Sequence, residues 1–289
     1  MEPLTSTPHE VARPPAPQTT RLEPTRGFSR VLAPDELWRY RDLAFQIAAR
    51  DVKVRYRQTA LGALWAVLQP VGTMVVFAIF FGGLAGVPSD GVPYALFALA
   101  ALVPWTYFQS SLLLGSDSLV RNGPLVSKIY FPRIFIPAGV VVAGLVDLAI
   151  AFVVLMLAVL IGGETPGLGM LALPLLVLVM VAAALGVTSA LSAVNVRFRD
   201  VRYVVPFASQ IWLFATPVAY SSSLVDEPWR TVLAINPMVG VVDGFRWGAL
   251  GLGDAPWASM GVSAVAAAVL LFAGLAYFDR VERGFADVL

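Results

Sequence analysis

Apolar positions along the chain fall into six long uncharged runs, separated by charges or by clusters of Gly, Pro and charge. The runs cover Gln58 to Ser89, Gly91 to Ser116, Ile134 to Gly163, Thr165 to Val196, Tyr203 to Val225 and Ala255 to Phe278, with Asp147 the one ionisable interruption. A hydrocarbon core about 30 Å thick takes a helix of about 20 mainly apolar residues, and each run is long enough. The pattern predicts an all-α integral membrane protein with six transmembrane helices over about 61–87, 92–116, 134–162, 168–196, 203–224 and 256–278. Ahead of the first run, Leu37, Tyr40, Ala44, Ile47 and Ala48 recur at helical spacing, with Arg39, Arg41, Asp42 and Gln46 between them. They predict an amphipathic cytoplasmic helix in the segment 35–57, with Asp35 as its N-cap. Residues 1–34 are polar, hold seven prolines and lack the apolar core of a signal peptide, so a disordered cytoplasmic tail is expected there.

Orientation follows from where Lys and Arg collect, because cytoplasmic loops retain them. Arg50, Lys53, Arg55 and Arg57 precede the first run; Arg121, Lys128 and Arg133 separate the second from the third; Arg197, Arg199 and Arg202 follow the fourth; Arg280 and Arg283 follow the sixth. These twelve stand against two, Arg230 and Arg246, in the alternate loops, which places both termini in the cytoplasm. The segment from Asp226 to Asp254 is too long for a simple loop, and its uncharged stretch from Thr231 to Val242 is too short to span. Asn236 and Pro237 should break it into two short re-entrant or interfacial helices over about 228–250, at the outer surface. Gly240, Gly244 and Gly248 then share one face at the spacing that lets helices approach closely. Two readings stand: the glycines pack the segment against the bundle, or they shape a paired-helix gate.

Composition narrows the chemistry. Of 289 residues, 58% are hydrophobic and 13% charged, against about 25% charged in an average soluble domain. A formal charge of +1 offers no bulk attraction to nucleic acid. With no cysteine and the single histidine His9, disulfides, thiolate zinc sites and Cys- or His-based catalysis lack their parts. Neither of the two lysines, Lys53 and Lys128, closes a GxxxxGK[ST] phosphate loop, so the chain is not expected to hydrolyse ATP by itself. No D-x-D or H-x-x-x-D spacing points to a metal, and we expect no catalytic residue, metal or cofactor in this chain. Asp147 either lines a path or makes a packed hydrogen bond to a neighbouring span, and Asp117 reads as an end-of-helix charge. Most of the 32 aromatics read as interfacial anchors. Trp105, Tyr107, Phe108, Trp212 and Phe214 are candidates for a conduit on whose flat faces sugar rings stack. The connection from Leu119 to Arg133 carries a compact apolar and aromatic cluster and, with the amphipathic helix, suits docking of a soluble partner; for that helix the headgroup layer is the other reading.

Five blocks then stand out in order: ARDVKVRYRQTALGALWAVLQP from Ala49 to Pro70, SKIYFPR from Ser127 to Arg133, NVRFRDV from Asn195 to Val201, INPMVGVVDGFRWGALG from Ile235 to Gly251, and ERGFADVL from Glu282 to Leu289. On these the chain resembles, from about residue 35 onward, the permease subunit of ABC-2 type exporters for polysaccharides and polyol phosphates, the group that moves lipid-linked O-antigen, capsule, teichoic acid or galactan. The resemblance implies a homodimer in the cytoplasmic membrane, paired with two copies of a separate cytoplasmic ATP-binding subunit that holds ATP and Mg. It implies that Asp35 to Arg50 is an interface helix, that Arg121 to Tyr130 is the coupling helix seated on the ATPase, and that Ile235 to Gly248 forms the outer gate helices. Arg39, Arg41, Arg121, Asn122, Lys128 and Tyr130 are the coupling candidates; Asn236, Pro237, Gly240, Gly244 and Arg246 are the gate candidates. The expected function is ATP-driven export of a lipid-linked polysaccharide or polyol-phosphate polymer. The alternatives are an ABC-2 exporter of a small drug or lipid and, disfavoured by the missing carboxylate and His clusters, a partner-free membrane enzyme for lipid-linked sugars.

Overall fold

The structure is a computed structural model that describes residues 38–57, 62–128, 131–226, 228–282 and 284–285. The tail 1–34, the cap Asp35 and the coupling candidate Tyr130 lie outside the described residues, as does the side chain of Lys128. The described residues form helices joined by loops, with no strand among them. Helix α1 runs Arg41–Arg57, and α2 runs Trp65–Phe77, continued by a wider π turn over Ala78–Leu84. Helix α3 runs Tyr94–Ser116, the short α4 and α5 cover Ser118–Arg121 and Gly123–Lys128, and α6 runs Phe135–Ile161. Then follow α7 (Leu173–Arg197), α8 (Val201–Phe214), α9 (Trp229–Ala234), α10 (Pro237–Leu250) and α11 (Trp257–Glu282).

Helix α3 is the axis of the bundle. It is apolar on every face, and Phe97, Ala100, Leu102, Trp105 and Phe108 on its different sides are all buried. Helices α2, α6, α7, α8 and α10 surround it, α11 packs on α7 and α10, and apolar residues such as Leu157, Leu178 and Val269 turn outward, where lipid replaces water as their solvent. Apolar side chains gain little from leaving lipid for one another, so close approach of small residues holds such a bundle together. The seams are visible at three glycines. A Cβ built on Gly274 of α11 would lie 2.0 Å from the Gly186 carbonyl oxygen of α7. One on Gly115 of α3 would lie 2.1 Å from Thr188 Cγ2, and one on Gly139 of α6 would lie 2.8 Å from Ile47 of α1. The last contact shows that α1 docks on protein through its buried Ile47, while Phe45 on its other side and Val54 nearer its C-terminus stay exposed.

Among the described residues five stretches are long and apolar enough to cross a membrane: Trp65–Leu84, Tyr94–Ser116, Phe135–Ile161, Leu168–Arg197 and Trp257–Glu282. The expected span over 203–224 differs. Its helix ends at Phe214, and fourteen residues give about 21 Å, short of the hydrocarbon core. Pro217 explains the early end, since a proline lacks the N–H that continues a helix and disfavours helical geometry at Thr216 before it. The chain nonetheless follows α3 along its length. Asn195 Nδ2 donates to the Ser116 carbonyl at the C-terminal end of α3 (3.0 Å), Gln109 Nε2 donates to Ser209 Oγ midway (3.2 Å), and Tyr94 at the first turn donates to the Ala219 carbonyl (2.7 Å).

Loops sort by end. Asp90, from the loop after α2, accepts from Ser221 Oγ (2.7 Å), and Gly167 N–H donates to the Gly248 carbonyl (3.1 Å) at one end of the bundle. At the other, Arg50 of α1 donates to Asn122 Oδ1 (2.9 Å), and Arg133 donates to the Glu282 carbonyl (2.6 Å).

Gly274→Val must push α7 and α11 apart and is expected to cost at least about 1–3 kcal/mol, read as a lower Tm of the purified chain in detergent. Gly261→Val, on the same helix with open space around its Cβ, should leave Tm nearly unchanged. Equal Tm values for the two variants would contradict the seam.

Candidate functional site

Six consecutive carbonyls, from Ala215 to Tyr220, lie where α8 has stopped and no helix can satisfy them, and each has a donor. Asn236, the N-cap of α10, receives the Met238 N–H on its Oδ1 (3.0 Å) and donates from Nδ2 to the Ala215 carbonyl (3.2 Å) and to Thr216 Oγ1 (2.8 Å). Its Oδ1 also accepts from Trp212 Nε1 (3.0 Å). The Val218 N–H takes the Thr216 carbonyl (2.6 Å), and Tyr94 takes that of Ala219. Arg246 supplies the rest. Its Nη1 donates to the carbonyls of Pro217 (2.7 Å) and Tyr220 (3.1 Å), its Nη2 to Val218 (2.8 Å), and its Nε to Phe97 of α3 (3.3 Å). The guanidinium carbon stands 3.5 Å from the centroid of the Phe97 ring, and the residue is only 4% exposed. Non-helical backbone at membrane depth survives only when buried and satisfied. Asn236 and Arg246, two of the gate candidates, provide that from α10.

Pro237 sits at the first turn of α10, where its missing N–H costs nothing. The other gate candidates are contact points. A Cβ on Gly240 would lie 2.3 Å from the Ser259 carbonyl oxygen of α11, and one on Gly244 would lie 2.5 Å from Leu176 of α7. Both glycines therefore seat α10 in the bundle, the packing reading of their spacing.

The conduit candidates separate. Trp105 and Phe108 are buried, and Phe108 stacks edge-on to Trp212 with ring centroids 5.1 Å apart, so these three form one packed aromatic cluster. Phe214 faces outward at 57% exposure. Tyr107 and Asp147 border a cavity of about 190 Å³ between α1, α2, α3 and α6, where the Tyr107 hydroxyl donates to the Val141 carbonyl (3.0 Å). Asp147 is ion-paired with Arg55 of α1 and accepts a hydrogen bond from the Tyr56 hydroxyl. Burial draws the Arg55 guanidinium below its ordinary range, opposed by Tyr56 and Asp51 beside it. Asp147 is therefore a packed contact that pins α1 to α6, and it also faces a cavity.

Of the coupling candidates, Arg39 is exposed, and Arg41 lies over the Trp38 ring, 4.6 Å from its centroid. Arg121 pairs with Asp117 (3.4 Å) and donates to the Leu114 carbonyl (2.8 Å), while Asn122 donates to the Ser118 carbonyl and accepts from Arg50. The turn between α4 and α5 is thus tied to both α3 and α1. Reading the sequence missed Arg55 and Tyr56 as partners of Asp147, and missed Asp243 entirely. Its signal was present: an acid three residues before Arg246 on one helix, ending a run counted as apolar only to Val242. Among the described residues no group of three or more His, Cys, Asp or Glu could hold a metal ion.

Comparison with known proteins gives a consistent answer. The family described as ABC-2 type transporter matches residues 43–250. The O-antigen export system permease protein RfbA of Myxococcus xanthus is 32% identical over 257 residues, covering 87% of this chain and 97% of the relative. A Klebsiella pneumoniae protein of the same name is 26% identical over 86% of this chain and 95% of its own length. The polysialic acid transport protein KpsM of Escherichia coli is 23% identical over 81% of this chain and 91% of its own.

Two predictions follow from the geometry. Each buried carbonyl left without a donor costs about 1–3 kcal/mol. Arg246→Leu, which strands several, should yield little monodisperse protein; Arg246→Lys, a single point of charge, should recover only part of it. Wild-type yield from the leucine variant would contradict the clamp. For the inner pair, a double-mutant cycle of Arg55→Met and Asp147→Leu, read by thermal unfolding in detergent, should show coupling of at least about 1 kcal/mol. Additive effects would mean the contact does not hold α1.

Proposed function

The chain belongs to the ABC-2 type transporter family, and from that premise we propose that it is the membrane subunit of an ATP-driven exporter that carries a lipid-linked polysaccharide or polyol-phosphate polymer to the outer face of the cytoplasmic membrane. The observation that carries this reading is the match to an O-antigen export permease over 97% of that relative's length. A multi-pass protein with no phosphate loop needs an outside source of energy, and a cytoplasmic ATP-binding subunit, in two copies with their ATP and Mg, supplies it. A small-drug or lipid exporter is not favoured, since the relatives found are named for O-antigen and polysialic acid.

The architecture supports a homodimer. One chain is filled at its centre by α3, so a path wide enough for a polymer runs between two copies. Helix α8 offers a surface for that path: Val205 and Ser209 face inward, while Tyr203, Phe207, Ile211 and Phe214 are exposed. Counted with the unwound stretch 215–220, α8 makes the sixth crossing, and both termini then lie on the cytoplasmic side. On that side α1, α4 and α5 form the coupling surface, with Arg39, Arg41, Arg121 and Asn122 as contacts to the ATPase and Lys128 and Tyr130 assigned to it from the sequence alone. The Arg50–Asn122 and Arg55–Asp147 contacts let a push on that surface reach α6 as a rigid-body motion. Helices α9 and α10 form the outer gate, with Asn236, Pro237, Gly240, Gly244 and Arg246 fixing its shape.

The test is to co-purify the chain with its ATPase partner, reconstitute the complex in lipid vesicles and measure ATP turnover. Lipid-linked polymer extracted from the native cell should raise the rate, and small amphiphilic drugs should not. Stimulation by the amphiphiles alone would overturn the polymer reading.

A further inference from the structure

At the end of the bundle where Asp90 meets Ser221 lies an open cavity of about 590 Å³, walled by α9, α10, the start of α11 and the loop after α2. Its volume is within the range of small-ligand pockets. Two features of the wall stand out. Trp247 and Trp257 meet edge to face with centroids 5.5 Å apart, and Trp247 is fixed from behind by Gly169, where a Cβ would come within 2.5 Å of the indole. Trp257 is left 63% exposed. Three carboxylates, Asp90, Asp243 and Asp254, line the same space.

The nearest strong base, Arg246, acts on Asp243 and Asp90 through space without pairing directly with either, and Asp243 also shares a hydrogen bond with Ser222. Arg246 aims its donors at the carbonyls of Phe97, Pro217, Val218 and Tyr220, and among the described residues none of the three carboxylates has a Lys or Arg nitrogen within ion-pair distance. A carboxylate accepts about four hydrogen bonds, and the Ser221 hydroxyl fills one position on Asp90. Spare acceptors beside an exposed indole suit a ligand with hydroxyl donors on its edge and an apolar C–H face. That is the chemistry of a sugar ring. A metal is a poorer occupant, because no metal-holding cluster of acids occurs among the described residues. A phosphodiester chain is poorer still, since three carboxylates against Arg230 and the committed Arg246 repel it.

We propose that this outer cavity is an exit-side binding site for uncharged sugar rings of the exported polymer, with Trp257 as the stacking face and Asp90, Asp243 and Asp254 accepting from the hydroxyls. The assignment rests on the polymer-export reading above and narrows it: the cargo is a neutral glycan rather than a polyol phosphate. The cavity lies beyond α10, so a ring bound there hinders backward slippage of the chain between ATP cycles.

The full chain in lipid nanodiscs is titrated with oligosaccharides released by mild acid from the polyprenyl-linked pool of the native cell, with tryptophan emission as the readout. Saturable quenching is expected. Trp257→Ala and Asp254→Asn should each weaken it about tenfold, Trp257→Phe should retain most of it, and Trp229→Ala, an exposed indole outside the cavity, should leave it unchanged. Equal binding by wild type and Trp257→Ala would overturn the site and leave Trp257 a membrane anchor. So would tighter binding of ribitol-phosphate oligomers, or the same emission change with Ca²⁺ alone. Export by cells depleted of the chain and complemented with the same variants separates the two claims. If depleted cells still export the polymer, the function fails; if export needs the chain but binding ignores Trp257, only the site fails.

Discussion

One guanidinium holds together the part of the molecule that hydrocarbon should least tolerate. After α8 the backbone unwinds for six residues, and Arg246 takes three of their carbonyls while its fourth contact reaches α3. Asn236, Tyr94 and the Val218 N–H complete the set. The charge is costly to bury, but the alternative is a run of unsatisfied carbonyls in lipid, each worth several kcal/mol. Because Asn236 caps α10 and Arg246 sits on it, that helix also defines the end of α8. Movement of one without the other breaks these bonds, so the two shift together or not at all.

The rest of the fold is arranged so that such a shift has something rigid to work against. Gly186 and Gly274 bring α7 and α11 into backbone contact, Gly240 does the same for α10 and α11, and α3 is enclosed by this frame. At the opposite end α1 is fixed by Ile47 on Gly139 and by Arg55 on Asp147, and Arg50 joins it to the turn at Asn122. Two ends, each with its own polar ties, are thus connected by helices that pack too closely to deform. Such packing favours whole-helix motion over local bending between the two ends.

Much of this was legible in the chain, and the exceptions have physical causes. Five spans, the amphipathic helix and the break at Asn236 follow from local pattern alone, because hydropathy and proline act over a few residues. Pro217 carried the signal that the fifth run would not stay helical, but its flanks are as apolar as those of Pro70, which α2 accommodates. What separates them is the presence of donors from elsewhere in the fold, and those are not local. The same holds for Asp147: its partner Arg55 lies 92 positions earlier. Trp105 and Phe108 read as conduit candidates because aromatics in an apolar run look alike whether they face a path or a packed core; only the burial of α3 tells them apart. The spacing of the glycines on α10 shows in the sequence, while their partners Ser259 and Leu176 required the fold.

If the bundle moves a lipid-linked polymer outward, losing the chain must strand that polymer in the cell. The decisive experiment is to deplete the chain in its native cell and analyse the polyprenyl-linked pool by lipid extraction and mass spectrometry. One lipid-linked glycan should accumulate inside while its surface form disappears. An unchanged pool, with altered sensitivity of the cells to small amphiphiles, would contradict polymer export.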